Sequence, residues 1–284
     1  MTYNRSIPSL VKRRWLECNR EYTIDFSLDM DCLSFLGTHF NPYVRRQFAI
    51  IRKGMYKADL WRICKLYQHS GVYADVDLVP YLDIDTLDKD VTFYSCLAAG
   101  KTSIFQAFMA NFSRPKHPLF LVFIMSFLIN KPYTYTNGPT FDMYNCIKYM
   151  LNVDSIQAGN RYEIDVVKIR IRIGPSRHHT ARIPLYYFPN NIEHTIQLHN
   201  NKYRDTFEFD IQNNTLIVKR TDKHQGWGHN HHVDICFTAK TSFLFFGEHL
   251  GANDNWKTAF VSHKGKKVRS EEHTSELQSH SDLV

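Results

Sequence analysis

The chain has 284 residues, of which 43% are hydrophobic and 22% charged, and its net charge is +7. This composition excludes wholesale disorder, and the length suffices for one large domain or two small ones with a sizeable core. The longest apolar run, Leu119–Ile129, falls short of the roughly 18–20 residues of a membrane span. The N-terminal MTYNRSIPSLVKRRW has no apolar stretch of the secretory kind. Six cysteines (18, 32, 64, 96, 146 and 236) lie far apart without a C-x-x-C pair, which argues against a zinc ribbon or a small disulfide scaffold. The positive charge suits an anionic partner: a nucleotide, a nucleic acid or a membrane surface. Aromatics are abundant, with 20 Phe and 16 Tyr, and read first as a large aromatic core.

In chain order, residues 6–20 read as a helix, with Ser6 as cap, Pro8 in the first turn and Leu10, Trp15 and Leu16 along one side. Residues 21–27 alternate Tyr22, Ile24 and Phe26 with polar neighbours, which predicts a strand. Asp29 or Asp31 caps a short helix through Phe40. Asn41-Pro42 restarts a helix to about Lys53, which Gly54 breaks. Lys57–His69 carries Leu60, Ile63, Cys64, Leu66 and Tyr67 on one stripe, and Gly71 ends it. A short apolar strand from Gly71 then runs straight into acids. Further elements are a strand at Asp90–Leu97, a core helix at Pro118–Asn130, a turn at Asn137-Gly138-Pro139 and a helix at Phe141–Leu151. Beyond residue 160 the texture turns β-rich, with strands expected at 164–173, 185–188, 192–198, 206–211, 215–219, 233–237 and 242–246.

The sharpest chemical feature is Asp75-Val76-Asp77 at the end of the apolar strand. Residues i and i+2 of a strand share a face. Two carboxylates there repel each other and lose hydration, and a hard divalent cation with oxygen ligands relieves both costs. Two other D-x-D pairs show that the bare pattern is common: Asp29/Asp31 read as helix-capping residues and Asp83/Asp85 as loop residues. Context distinguishes Asp75/Asp77. Upstream lies a helix carrying Asp59 and Arg62 at i, i+3, neighbours on its surface. These two are either a plain ion pair or a pair presented to a polar ligand near the acids.

The string KADLWRICKLYQHSGVYADVDLVP resembles the signature of DXD-containing sugar transferases of glycosyltransferase family 32, K-A-D-L-x-R, L-Y and G-G-[IV]-Y-x-D-x-D. Pro8–Tyr22 resembles the family's first helix and its N-P-x-Y-x-Y segment. Residues 104–107, His117-Pro118 and Asn137-Gly138-Pro139 match later landmarks, so the resemblance covers residues 6–150. It implies an α/β fold of the GT-A type, a Rossmann-like mixed sheet with flanking helices, followed by a β-rich C-terminal region. It implies metal-dependent transfer of a hexose from a UDP- or GDP-linked donor to a glycan, lipid or protein acceptor, with retention of anomeric configuration. By residue, it implies catalytic roles for Asp59, Arg62, Asp75 and Asp77. Donor contacts fall to Asp59, Arg62, Tyr73, Asp75, Asn137 and Gly138. Mn²⁺ or Mg²⁺ would be held by Asp75 and Asp77, with His249 as a further candidate ligand. No covalent nucleophile is named, because front-side attack by the acceptor needs none.

The chain departs from the pattern at Ser70, where the first glycine of the pair usually stands, and at Ala74, usually larger. Met1 falls just after the family's opening strand of the I-P-K-x-I-H-Q-x-W type, so that strand is expected to be missing. The last sixteen residues contain RSEEHTSELQS, which resembles a translated sequencing adapter. Residues 269–284 are therefore read as a non-native tail; they carry one basic and four acidic residues. The expected division is 1–155 for donor binding and catalysis and 156–268 for the β-rich region. The histidines at 224, 229, 231 and 232 around Trp227 read as a polar loop rather than a zinc site. Three sequons, at Asn4, Asn111 and Asn213, are no more than chance supplies. A non-catalytic nucleotide-sugar- or carbohydrate-binding relative is the alternative function. Nucleic-acid binding is set aside for want of a basic stripe. Localisation stays open between the cytoplasm and a membrane system reached through an upstream anchor.

Overall fold

The computed structural model describes residues 9–75, 78–80, 83–98, 102–130, 138–173, 180–184, 197–199, 206–210, 215–219, 231–248 and 260–262. The N-terminal part is helical: α1 Ser9–Cys18, α2 Asp29–His39, α3 Pro42–Ile50 and α4 Gly54–His69. Next come β1 Gly71–Ala74, β2 Leu78–Pro80, a 3₁₀ turn Ile84–Thr86, β3 Phe93–Leu97 and β4 Ile104–Asn111, then α5 Pro118–Asn130 and α6 Pro139–Leu151. The remainder is β: β5 Arg161–Ile173, β6 Thr180–Pro184, β7 Gln197–His199, β8 Thr206–Asp210, β9 Thr215–Lys219, β10 His231–Glu248 and β11 Phe260–Ser262.

The main sheet runs in the order β1-β4-β3-β10-β5, with β7 also pairing with β10. It is mixed, because β10 lies parallel to β3 whereas the other pairs are antiparallel. Helices flank it, so the architecture is a mixed α/β fold consistent with the GT-A type. β10 joins this sheet directly beside β3 and β5 pairs with β10, so residues on both sides of position 155 share one set of ladders. Smaller sheets pair β11 with β2 and order β6-β9-β8. Two apolar layers sandwich the main sheet. On one face α4, α5 and α6 pack Leu60, Phe120, Phe123 and Ile147 against Phe93, Phe243 and Phe245. On the other, Tyr94, Phe105, Phe108 and Ala110 form a second cluster, against which Trp15 of α1 packs. The Trp15 indole N–H donates to the Leu78 carbonyl at 3.0 Å and ties α1 to β2. α5 is apolar all round, and residues 119–128 are buried throughout, as such a helix must be.

Several local expectations change. Residues 21–27 form no strand: the alternation is present, but Ile24 and Phe26 point outward at 37% and 40% exposure. Asp25 and Asp29 turn the other way, to Lys65 and Lys57 of α4 at 2.7 and 3.3 Å. Gly54 starts α4 rather than breaking a helix. The strands expected at 233–237 and 242–246 are one 18-residue strand, whose register against β5 shifts between Thr238 and Thr241. β4 went unrecognised as a strand in the sequence. His231 and His232 open β10 rather than lying in a loop. The strand expected at 185–188 lies outside the described residues, as do His224, Trp227 and His229.

Asp31 caps α2 as expected, its carboxylate accepting from the Leu28 N–H at 2.9 Å. Asp83 sits not in an open loop but at the N-cap of the 3₁₀ turn, accepting from the Asp85 N–H at 2.9 Å. Asn111 is fully buried and its amide donates to the Leu66 carbonyl at 2.8 Å, so its sequon is structural.

Candidate functional site

α4 ends at His69, and the chain reverses into β1 through Ser70 and Gly71, both with positive φ (+62° and +96°). Ser70, with ψ −165°, occupies a region that is essentially glycine's own and costs a side chain about 1–3 kcal/mol. Its hydroxyl offsets part of that cost by donating to the Ser113 carbonyl at 2.8 Å. The tight reversal lays β1 beside α4, and this brings the predicted residues together.

Asp59 and Arg62 lie one turn apart on the buried side of α4, at 5% and 6% exposure. Tyr73 and Asp75, two residues apart at the end of β1, face them. The Arg62 guanidinium is held from all sides. Its Nε donates to the Ala58 carbonyl at 3.1 Å and its Nη1 to the Gln106 carbonyl at 2.5 Å. Asp59 Oδ1 and Asp75 Oδ1 each lie 3.5 Å from its terminal nitrogens. The Tyr73 ring packs 4.6 Å beneath it, and the Tyr73 hydroxyl donates to Asp75 Oδ1 at 2.8 Å. Arg62 thus joins α4, β1 and β4 in one buried knot, the setting in which a planar, multidentate cation outperforms lysine.

The electrostatics follow from burial. Desolvation pushes the Asp59 carboxyl up to about 6; Arg62 pulls it back and Asp75 pushes the same way. Burial opposes the charge on Arg62, but Tyr73, Asp75 and Asp59 outweigh it and hold the guanidinium above its ordinary value. Burial also lifts the Tyr73 hydroxyl well above the usual tyrosine range, so it remains a donor. One arginine against two carboxylates leaves the knot one charge negative when both are ionised. Asp75 keeps a side-chain exposure of 19%, and only its Oδ1 is engaged by Tyr73 and Arg62. Its second oxygen is suited to a hard cation, which fits the oxygen-donor chemistry of a D-x-D pair.

Sequence reasoning missed a bulge in β4. Ser95 of β3 pairs with Met109 and Cys96 with Phe105, so residues 106–108 bow out of the ladder. The Ser95 hydroxyl, fully buried, lies 3.1 and 3.0 Å from the carbonyls of Phe105 and Phe108, and Arg62 takes the carbonyl of Gln106. Bulges of this kind often re-aim a side chain beside a site. Here Phe105, Ala107 and Phe108 stay in the second apolar cluster, whereas Gln106 turns to the helical face and reaches Met143 of α6. Gln106 is 3% exposed, and its Oε1 is the one buried side-chain oxygen or nitrogen without a hydrogen-bond partner among the described residues. An orphan of this sort costs about 1–3 kcal/mol. A glutamine inside the apolar run IFQAFMA was the available signal.

The remaining predicted residues are placed as follows. Gly138 caps the N-terminus of α6 and packs so closely on Tyr56 of α4 that a Cβ would come 3.3 Å from its ring. Burial pushes Asp142, in the first turn of α6, up to about 6. Asp77, Asn137 and His249 lie outside the described residues.

Residues 9–94 match the family model described as "Glycosyltransferase sugar-binding region containing DXD motif". The matched span contains α1 through β2, all four members of the knot and the D-x-D pair. It supports a glycosyltransferase-like, sugar-binding role at the level of the DXD-containing transferases. No curated protein and no solved structure gives a significant match.

Proposed function

We propose that this protein is a retaining, metal-dependent glycosyltransferase that moves a hexose from a nucleoside-diphosphate sugar to a glycan, lipid or protein acceptor. The observation that carries the reading is the buried Asp59–Arg62–Tyr73–Asp75 knot, which fixes a D-x-D carboxylate at a strand end inside a segment matching a sugar-binding family. Family 32 is the subgroup that the KADLWR and GVYADVD strings favour.

Asp75 and Asp77 would hold the cation, Mn²⁺ or Mg²⁺, and His249 is a further candidate ligand. When bound, that cation supplies charge stabilisation to the leaving diphosphate. The residues of the chain do the rest. Tyr73 and Arg62 fix one oxygen of Asp75, so its rotamer is set before any donor arrives. Asp59, whose charge is costly where it stands, is poised to accept hydrogen bonds from sugar hydroxyls that would compensate that cost. The buried, multiply bonded Arg62 acts chiefly by positioning both carboxylates. Asn137 and Gly138, at the head of α6, are proposed to line the donor pocket. The catalytic unit is proposed to span residues 1–155, with 156–268 completing the sheet and 269–284 as a non-native tail.

The test is hydrolysis or transfer of UDP- and GDP-hexoses with and without Mn²⁺, comparing the chain with Asp77→Asn and Asp75→Asn. Metal-dependent turnover abolished by either variant supports the reading. Full activity of Asp77→Asn with saturating metal refutes the D-x-D assignment. Binding of nucleotide sugar without turnover makes the protein a binding relative instead.

A further inference from the structure

Gln106 is out of place by ordinary rules of burial. A buried amide normally satisfies both ends, whereas this one offers its N–H only to the Met143 sulfur at 3.9 Å and leaves Oε1 unpartnered among the described residues. Exchanging the amide oxygen and nitrogen would not help, because one polar atom stays orphaned either way. The backbone around it is specially arranged. Residues 106–108 bow away from β3; the Ser95 hydroxyl lies on the flanking carbonyls of Phe105 and Phe108, the Ala107 carbonyl accepts from the Asp75 N–H at 2.8 Å and the Gln106 carbonyl from Arg62, and Gln106 faces the helices. Its own carbonyl is bonded to the same Arg62 nitrogen that lies 3.5 Å from Asp75, so residue 106 adjoins the knot directly.

An acceptor left without a partner, on a residue whose backbone is bonded to the knot, is chemically matched to a hydroxyl, a group of which a hexose carries several. Among hydrogen-bonding ligands, a sugar brings donors without bringing the negative charge that Asp59 and Asp75 would repel. We infer that Gln106 is a specificity residue of the donor site, and that its Oε1 accepts a hydrogen bond from one hydroxyl of the transferred hexose. This rests on the sugar-transfer reading above and adds to it one residue and one discriminating contact. A site built to accept from a hydroxyl rejects the analogue that lacks it far more strongly than an apolar pocket does.

The test uses the whole chain with Mn²⁺, isothermal titration and thermal melting. The probes are UDP, GDP, UDP-glucose, UDP-galactose, GDP-mannose and single-position deoxy analogues of whichever sugar binds. Gln106→Met, close in volume and without polar atoms, is expected to melt higher than the unmodified chain, since it removes the orphan. It should bind the free nucleoside diphosphate within about twofold of the unmodified chain and the nucleotide sugar about tenfold more weakly. In the unmodified chain one deoxy analogue should lose about tenfold, and in Gln106→Met that same analogue should lose nothing further. The deoxy series needs no variant, so it decides the matter even if Gln106→Met fails to fold: no single deoxy position costing affinity overturns the inference. Equal nucleotide-sugar affinity in Gln106→Met and the unmodified chain overturns it too, while leaving sugar transfer standing. If the unmodified chain binds no nucleotide and no nucleotide sugar with metal present, the transfer reading falls and this inference with it.

Discussion

Replacing Asp59 by Asn is the most informative perturbation of fold energetics. The folded chain holds this carboxyl near 6, against an ordinary value of 3.8, mainly because burial penalises its charge. A group whose folded value is raised contributes stability below its unfolded value and loses it as pH rises through the folded one. Between about pH 4 and pH 6 the folded chain therefore binds a proton that the unfolded chain has released. The shift is roughly two units, and at about 1.4 kcal/mol per unit it makes the ionised site about 3 kcal/mol less stable than the protonated one. Asn is isosteric and does not titrate. The difference in unfolding free energy, Asp59→Asn minus the unmodified chain, should thus grow by about 3 kcal/mol from pH 4 to pH 7 and then level off. Urea melts of both proteins at half-unit pH steps measure it, and subtraction cancels the other titrating groups. Parallel curves across that window would refute the claim that Asp59 is held in a desolvated, charge-disfavouring position. A difference that shrinks with rising pH would mean that Arg62 dominates instead. The same variant should lose donor binding, since the energetic cost and the proposed function belong to one carboxylate.

Three further outcomes are expected. Ser70→Gly should be more stable than Ser70→Ala by about 1–2 kcal/mol in denaturant melts, because glycine relieves the positive-φ strain at some cost in chain entropy while alanine keeps the strain and loses the bond to Ser113. Ser95→Ala should cost about 1–3 kcal/mol, because it strips the hydroxyl from the bulge carbonyls of Phe105 and Phe108, and hydrogen exchange of β3 and β4 should quicken. His69 is held below its ordinary value by partial burial and by the nearby Lys65 and His39, whose ring lies 5.8 Å away. The unfolded chain therefore takes up a proton first as pH falls through 6.5, so stability contributed at neutral pH should decline there. His69→Gln should flatten that decline in thermal melts between pH 7.5 and 5.

How much of this was legible in the sequence depended on which physical signal each residue carries. Periodicity revealed α4 by its apolar stripe, the unbroken apolar run revealed α5, and the strand after Gly71 stood out because acids end it abruptly. Asp59 and Arg62 could be paired in advance because the helix period makes i and i+3 neighbours, whereas Tyr73 and its grouping with Asp75 came only through the family resemblance, and the tight reversal that joins the two elements is visible in the structure alone. Residues 21–27 misled because alternation is blind to direction: Asp25 and the following Asp29 pair with lysines of α4, and Ile24 and Phe26 are left facing out. β4 was invisible because a strand buried on both faces does not alternate, and its bulge follows from what Ser95 and Arg62 do to carbonyls, which no local pattern encodes. Likewise Gln106 looked like an ordinary polar residue until its lack of a partner could be seen.

The position of β10 has a consequence for how the chain is made. Phe243–Phe245 lie in register beside β3, and Ser242 exchanges bonds with Thr92 across a separation of 150 residues. At ordinary synthesis rates of roughly 5–20 residues per second, β3 leaves the ribosome about 8–30 s before the strand that will cover its edge. During that interval Phe93, Tyr94 and Cys96 stand on an open strand edge, the kind of surface that aggregates or recruits chaperones. Completion waits on a non-local pairing, which is the slow kind. Nascent chains stalled short of residue 231 should therefore be protease-sensitive and chaperone-bound, however complete the donor-binding motifs they already contain.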